Sequence, residues 1–289
     1  MSSSLRLHVP SALEYFASLV AEDMSINLLE AAIAIGQDEF PRLDVQSVQA
    51  EVDTLARRLL QRLPADAPSA HRLRALNRYF HTELGFAGNV NNYYEAGNSY
   101  VHHVLATRRG IPITLAVIYL ELASQIGLQA RGVAFPGHFL IKLHLSQGEV
   151  MLDPFSGRSL SRSELDEALQ PYRQSAGLAG DVDLPLELFL QAATPRQVLA
   201  RMLRNLKEIH RAQSDWDRLL PVQQRLVLLL PDDLNERRDR SLVLEALGHW
   251  SAAAADIEFY LDRAEQAPDR VAQQLRLDDL RGRDGPALH

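Results

Sequence analysis

The chain has 289 residues with 30 lysines and arginines against 37 aspartates and glutamates, a formal net charge of -7, which argues against a general nucleic-acid binder because phosphate backbones are held by a basic face. It has no cysteine, which excludes disulfides, thiolate metal sites and a cysteine nucleophile. Its start lacks the apolar run of a signal peptide, and no stretch approaches the roughly 20 apolar residues of a membrane span, so a cytoplasmic protein with no membrane partner is expected.

Apolar residues at three- and four-residue spacing predict helices over 12–20 and 27–35, with Ser25 as cap of the second. After Pro41, the stripe Val45, Val48, Val52, Leu55, Leu59, Leu60 and Leu63 predicts a helix over 44–63, ended by Pro64, Asp66 and Pro68. A further helix is predicted over 69–84, and Gly85 and Gly88 punctuate the chain just past it. Residues 88–97, polar and aromatic, read as a surface loop. Asn98 or Ser99 is then the expected cap of a helix running to Arg109 and stopped by Gly110. Arg108 and Arg109 make the most obvious local basic patch, and their plainer reading is a pair of cations at a helix C-terminus.

Pro112 suits the first turn of the next helix, 113–126, which is apolar on nearly every face and ends at Gly127. Three strands are predicted over 129–135, 138–144 and 149–152, separated by turns at Pro136-Gly137 and Gln147-Gly148. Period two places His138, Leu140, Lys142 and His144 on one face. Residues 171–195, with Gly177, Gly180 and Pro185, read as an irregular bridge. Beyond it Trp216 and Trp250 lie 34 residues apart, the period of a tetratricopeptide hairpin. Each opens a helix, 216–230 and 250–264. Residues 281–289 read as a frayed end.

Three segments together carry a resemblance. The first runs from Asn98-Ser99-Tyr100 to Arg108-Arg109-Gly110-Ile111-Pro112-Ile113-Thr114-Leu115. The second is Gly132-Val133-Ala134-Phe135-Pro136-Gly137-His138-Phe139-Leu140, and the third Leu152-Asp153-Pro154-Phe155-Ser156-Gly157. This run resembles the SirB family, bacterial transglutaminase-like proteins with a papain-like fold and a C-terminal tetratricopeptide tail. The resemblance implies a cysteine at the start of the central helix, a histidine and an aspartate on following strands. The histidine corresponds to His138 and the aspartate to Asp153. The cysteine position corresponds to Pro112. Within the SirB family the resemblance implies the same helix start, Pro-Ile-Ser/Thr-Leu. A thiol at a helix N-terminus is activated by the helix dipole and an adjacent imidazole; proline offers neither a proton nor a lone pair.

Each candidate has a plainer reading. His138 and Asp153 are a vestigial catalytic pair or a hydrogen-bonded structural one; Asp153 is also a natural turn residue before Pro154. Thr114, the nearest hydroxyl, lies two residues past the nucleophile position, about 200° around the helix, and threonine readily bonds back to its own helix. The Asn91-Asn92-Tyr93-Tyr94 loop and Tyr100 either rim a cleft or form an ordinary capped loop, and Asn98, Tyr100 and Arg109 are the candidate binding residues, Arg109 being otherwise a helix-end cation. No metal is expected: His138 and His144 stand about 20 Å apart along a strand, and the adjacent His102 and His103 diverge on a helix. No cofactor is expected.

The fold expected is α+β: a helix-rich transglutaminase-like (cysteine-protease-like) domain with a small antiparallel sheet over 1–175, then all-α tetratricopeptide-like hairpins over 190–280. The function expected is a catalytically degenerate module that binds a protein or peptide or has a regulatory role. The alternative is a hydrolase or acyl-transfer enzyme using His138 and Asp153 with a hydroxyl or water nucleophile. A scaffold whose cleft is a relic ranks below both.

Overall fold

A computed structural model describes residues 10–175 and 185–283. The chain divides into two compact units, one spanning Ile26–Met202 and the other combining Met1–Ser25 with Leu203–His289. In chain order the elements begin with α1 (Ala12–Leu19), α2 (Leu28–Ala34), α3 (Val45–Leu60) and α4 (Ser69–Asn77), the last running into a π-helical turn, Arg78–Glu83. Next come β1 (Ala87–Gly88), α5 (Val101–Thr107), β2 (Arg109–Gly110) and α6 (Pro112–Gln125). The strands β3 (Gln129–Val133), β4 (Leu140–Leu145), β5 (Gly148–Leu152) and β6 (Ser159–Leu160) follow. The remainder is helical: α7 (Arg162–Ser175), α8 (Leu186–Phe189), α9 (Pro195–Ala212), α10 (Trp216–Leu229), α11 (Leu234–Ala246), α12 (Trp250–Arg263) and α13 (Arg270–Arg283).

In the first unit α6 is the axis of the core. Its residues from Ile113 to Tyr119, with Leu122 and Ala123, are all buried. It packs against α2, α3, α4, α5, β3 and β4. A helix apolar all round has no solvent face to keep, and Pro112 sits at its first turn as expected. Around it, α3 starts on Asp44, whose carboxylate accepts the N–H groups of Gln46 and Ser47 at 3.0 and 3.2 Å. The cap of α2 is Asn27, not Ser25: Asn27 accepts the Glu30 N–H, while the Ser25 hydroxyl donates to the Glu22 carbonyl.

The antiparallel sheet runs β3-β4-β5-β6, with Arg131 opposite Lys142, Lys142 opposite Met151 and Met151 opposite Leu160. β4 begins at Leu140 rather than His138. The Pro136-Gly137 turn is longer than expected: Gly137 takes φ +70, and the His138 N–H donates to the Phe135 carbonyl at 3.0 Å. A left-handed residue of that kind favours glycine. The fourth strand and the parallel β1–β2 pair, Ala87 opposite Arg109 and Gly88 opposite Gly110, are two residues long and show no periodicity to read.

The helix expected over 98–109 is divided. A 3-10 turn, Ala96–Ser99, precedes α5, and Tyr100 between them is extended. α5 ends at Arg108, which adopts the left-handed conformation at φ 60. Gly110 is needed for a different reason: a Cβ there would meet the Val104 methyls at 2.9 and 3.0 Å. Part of the expected bridge is helical, because α7 continues through Pro171 and α8 follows. Gly177 and Gly180 lie outside the described residues.

In the second unit α10, α11, α12 and α13 pack consecutively, and α1 packs on α10. Phe16 of α1 is fully buried under the Arg225 guanidinium, 5.4 Å from the ring centroid, and burial lowers the Arg225 pKa to about 10. The 34-residue period is geometric. Trp216 and Trp250 are the first residues of α10 and α12. Two residues before each stands a left-handed residue, Ser214 at φ 54 and Gly248 at φ 76. Among the described residues no helix is long and apolar enough to cross a membrane.

Candidate functional site

The start of α6 is fixed by the short β1–β2 pair and the loops laced to it. The Asn89 N–H donates to the Gly110 carbonyl and the Gly88 N–H to the Phe155 carbonyl, both at 3.0 Å. A Cβ on Gly88 would lie 2.1 Å from the Phe155 ring, so that ring rests directly on the Gly88 backbone. β1 thus joins two of the segments singled out in the sequence, the one leading into Pro112 and the one following Asp153.

Asn98 is 1% exposed. Its side-chain amide donates to the carbonyls of Asn92 at 2.6 Å and Tyr93 at 3.2 Å, and its Oδ1 accepts from Asn89. It organises loop 89–93 from within. Tyr100 is buried, with Phe40 edge-on at 5.4 Å. Arg109 is exposed, and its Nη1 donates to the carbonyls of Gly85 at 2.6 Å and Arg108 at 3.0 Å. The Arg108 guanidinium lies 4.6 Å over the Phe86 ring and 3.7 Å from Glu51. The Arg108–Arg109 pair therefore holds the turn between α5 and β2.

Pro112 opens α6. Thr114 is fully buried, and its Oγ1 has no hydrogen-bond partner among the described residues. The Asp153 carboxylate is committed to its own loop: Oδ1 accepts the Phe155 N–H at 2.9 Å and Oδ2 the Ser156 hydroxyl at 2.5 Å. That is a turn held by an aspartate side chain. His138 is exposed in its turn. Ile141 faces Leu152 in the β4–β5 register, so the same register continued would bring Asp153 opposite Leu140, with His138 two residues further. No hydrogen bond joins His138 to Asp153 among the described residues. The arrangement offers an imidazole open to water and a carboxylate whose two oxygens each accept one bond from their own loop.

Two nearby residues escaped the sequence reading. His81 sits against Gly157, where a Cβ would lie 2.7 Å from the ring, and its Nδ1 is 3.0 Å from the Phe86 carbonyl. Burial lowers its pKa; the bond to Phe86 and the Asp153 charge oppose that only in part. With Nδ1 donating, Nε2 is a buried acceptor without a partner. Arg201, on α9, donates to the Phe135 carbonyl at 3.2 Å, and its guanidinium is 5.8 Å from the Phe139 ring centroid. Burial lowers its pKa, and Tyr93 pushes back. It thereby grips the turn that carries His138. Nothing in the sequence flags it, since it comes 66 residues after the carbonyl it meets.

The second unit holds a cavity of about 600 Å³ lined by Lys207, Trp216, Leu219, Leu242, Val243 and Arg276, among others. An ion network lies beside it. Lys207 Nζ donates to Glu236 at 2.6 Å and Asp239 at 2.7 Å, Arg204 Nε reaches Glu236 at 2.9 Å, and Gln223 Nε2 donates to Glu236 at 2.8 Å. Burial alone would raise the Glu236 pKa, but the bonds from Lys207 and Gln223, the Lys207 charge and the Arg204 bond together hold it below the ordinary value. Gln223 Oε1 and Arg276 Nη2 are buried without partners among the described residues, and both side chains line the cavity. No group of three or more potential metal ligands gathers among the described residues.

The sequence pattern of the transglutaminase-like superfamily matches residues 46–204, and that of the tetratricopeptide repeat matches residues 206–277. The chain is 36% identical over 243 residues to a UPF0162 protein of Xylella fastidiosa, covering 83% of this chain and 85% of that one. It is 26% identical over 274 residues to a UPF0162 protein of Vibrio cholerae, covering 94% and 99%. The UPF0162 protein YchA of Escherichia coli is 26% identical over 253 residues, covering 86% and 88%.

Proposed function

The chain belongs to the transglutaminase-like superfamily, among the UPF0162 proteins, and from that premise we propose that it is a binding module without acyl-transfer chemistry. The observation that carries this reading is Pro112 at the first position of α6, where the family mechanism needs a cysteine, in a chain that has none. Thr114 does not substitute for it, because its hydroxyl is enclosed in the core. His138 and Asp153 are on this reading a vestigial pair, and the commitment of both Asp153 oxygens to donors of its own loop supports it. Asn98, Tyr100 and Arg109 shape the loops around the old site rather than touch a ligand.

The binding surface is the cavity of the tetratricopeptide unit, and its occupant is a protein or peptide segment. Trp216, Leu219, Leu242 and Val243 offer an apolar seat, and Leu242 is 50% exposed. Gln223 Oε1 and Arg276 Nη2 are buried without partners among the described residues; turned toward the cavity, they would be satisfied by the amide group of a peptide. The module works in the cytoplasm, with no cofactor and no nucleic-acid partner.

The test compares affinity capture from native cells by the wild type and by Leu242→Arg, with rates on amide, ester and amine-transfer substrates measured beside it. A partner held by the wild type and lost by the variant is expected, with no rate above background. Identical captures from both proteins would end the binding reading. The competing hydrolase reading draws on the exposed His138 imidazole; it requires a rate that His138→Ala abolishes.

A further inference from the structure

Residues 57–83 run against the charge of the whole. This stretch contains Arg57, Arg58, Arg62, Arg72, Arg74 and Arg78 with only Asp66 and Glu83 in opposition, in a chain of net charge -7. One of these arginines is structural, since Arg72 donates to the carbonyls of Ala65, Ala67 and Ile126 and so ties the α3–α4 connection to the end of α6. Others surround a cavity of about 340 Å³ between α3 and α4, lined by Arg62, His71, Arg74, Arg78 and Glu83 over an apolar floor that includes Leu59 and Tyr79.

His71, Arg74 and Arg78 fall at i, i+3 and i+7, along one edge of α4 and its π-helical continuation. Arg62 faces them from just past the end of α3. Among the described residues the only carboxylate in the lining, Glu83, is taken by Arg62 at 2.6 Å and lies 3.5 Å from Arg78. Arg74 and His71 make no ion pair among the described residues, and Arg78 is 78% exposed. Like charges spaced by four on a helix repel, so Arg74 and Arg78 disfavour the helix that carries them, and no carboxylate within α4 relieves it. The π-helical turn that begins at Arg78 is an irregularity of the kind common at functional sites.

We propose that this cavity is an anion site that takes the phosphate group of a small phosphorylated ligand, held by Arg74 and Arg78 with His71 beside them. Donors converging from separate side chains match a tetrahedral oxyanion with several acceptor oxygens; a single planar carboxylate is satisfied by one guanidinium fork. The volume lies at the small end of the range for small-molecule pockets and is short of a groove for a polymer. The proposal concerns a different unit from the peptide cavity and does not rest on the proposed function.

The test is isothermal titration of the full chain with inorganic pyrophosphate at low ionic strength. The wild type is compared with Arg74→Gln, with Arg74→Gln/Arg78→Gln, and with Arg281→Gln on α13 as a control matched in charge to the single variant. One saturable site is expected, weakened at least about tenfold in the double variant and partly in Arg74→Gln, with the control equal to the wild type. Arg74 has no ion-pair partner to lose among the described residues, so the single variant keeps the test valid if the double variant unfolds. Absence of saturable binding by the wild type, or equal binding by wild type and Arg74→Gln, overturns the proposal. So does tighter binding of hexaglutamate or of single-stranded RNA through the same arginines.

Discussion

Lys207→Met isolates the ion network between α9 and α11. The Glu236 side chain is 4% exposed, and Lys207 Nζ is its nearest cation at 2.6 Å. Stranding a buried charge costs about 3–5 kcal/mol. Glu236 would keep Arg204 at 2.9 Å and Gln223 at 2.8 Å. Asp239, 25% exposed, would regain water. These leave an expected loss of about 2–3 kcal/mol. For a unit of this size that lowers the midpoint of unfolding by on the order of 10 °C. The two tryptophans both lie in this unit, so their fluorescence reports on its unfolding in urea. Lys207→Met/Glu236→Leu removes both charges and is expected to recover most of the loss, since an apolar pair of similar volume is tolerated where a lone charge is not. A single variant that costs under about 0.5 kcal/mol, or a double variant worse than the two singles added, would refute the reasoning.

Three further outcomes are expected. The Glu236 carboxyl titrates below its ordinary 4.5 when folded, so the folded unit binds that proton less readily than the unfolded chain. Its contribution is complete above about 4.5 and is lost as pH falls through the folded value; acid titration followed by tryptophan fluorescence should show a shallower loss in Glu236→Gln. Gly88→Ala places a methyl 2.1 Å from the Phe155 ring and should cost about 1–3 kcal/mol by circular-dichroism melting; no change would mean that the ring does not rest on that backbone. Thr114→Val removes a buried hydroxyl without a partner among the described residues and should change stability by less than about 1 kcal/mol; a larger loss would reveal a hydrogen bond that this geometry does not contain.

The parts of the fold that one segment specifies by itself were legible. The 113–126 helix announced itself through apolar residues on every face between Pro112 and Gly127, and it is the core axis. The tryptophan spacing marked two hairpins because a repeat writes the same packing demand twice. What escaped depends on partners distant in the chain or on very short elements. β1 and β2 have two residues each, too few for a pattern, yet they tie the start of α6 to the loop after Asp153. His138 lies outside its expected strand because the turn before it extends by hydrogen bonding, which alternation of side chains does not reveal. Arg201 reaches the Phe135 carbonyl from a helix whose stripe speaks only of packing. The adjacent Arg108 and Arg109 read as a basic patch, whereas the arginine cluster is assembled by the turn after α3, by α4 and by the π-helical turn from residues 12 and 16 positions apart, Arg62 with Arg74 and Arg78.

Ser214 and Gly248 give the α-helical array a modular seam. Each hairpin is entered through the same left-handed corner, one residue ahead of a helix cap and two ahead of a tryptophan. A left-handed serine carries a backbone penalty that glycine avoids, so Ser214→Gly would make the two corners chemically alike. A cassette of residues 214–247 then begins and ends on interchangeable joints.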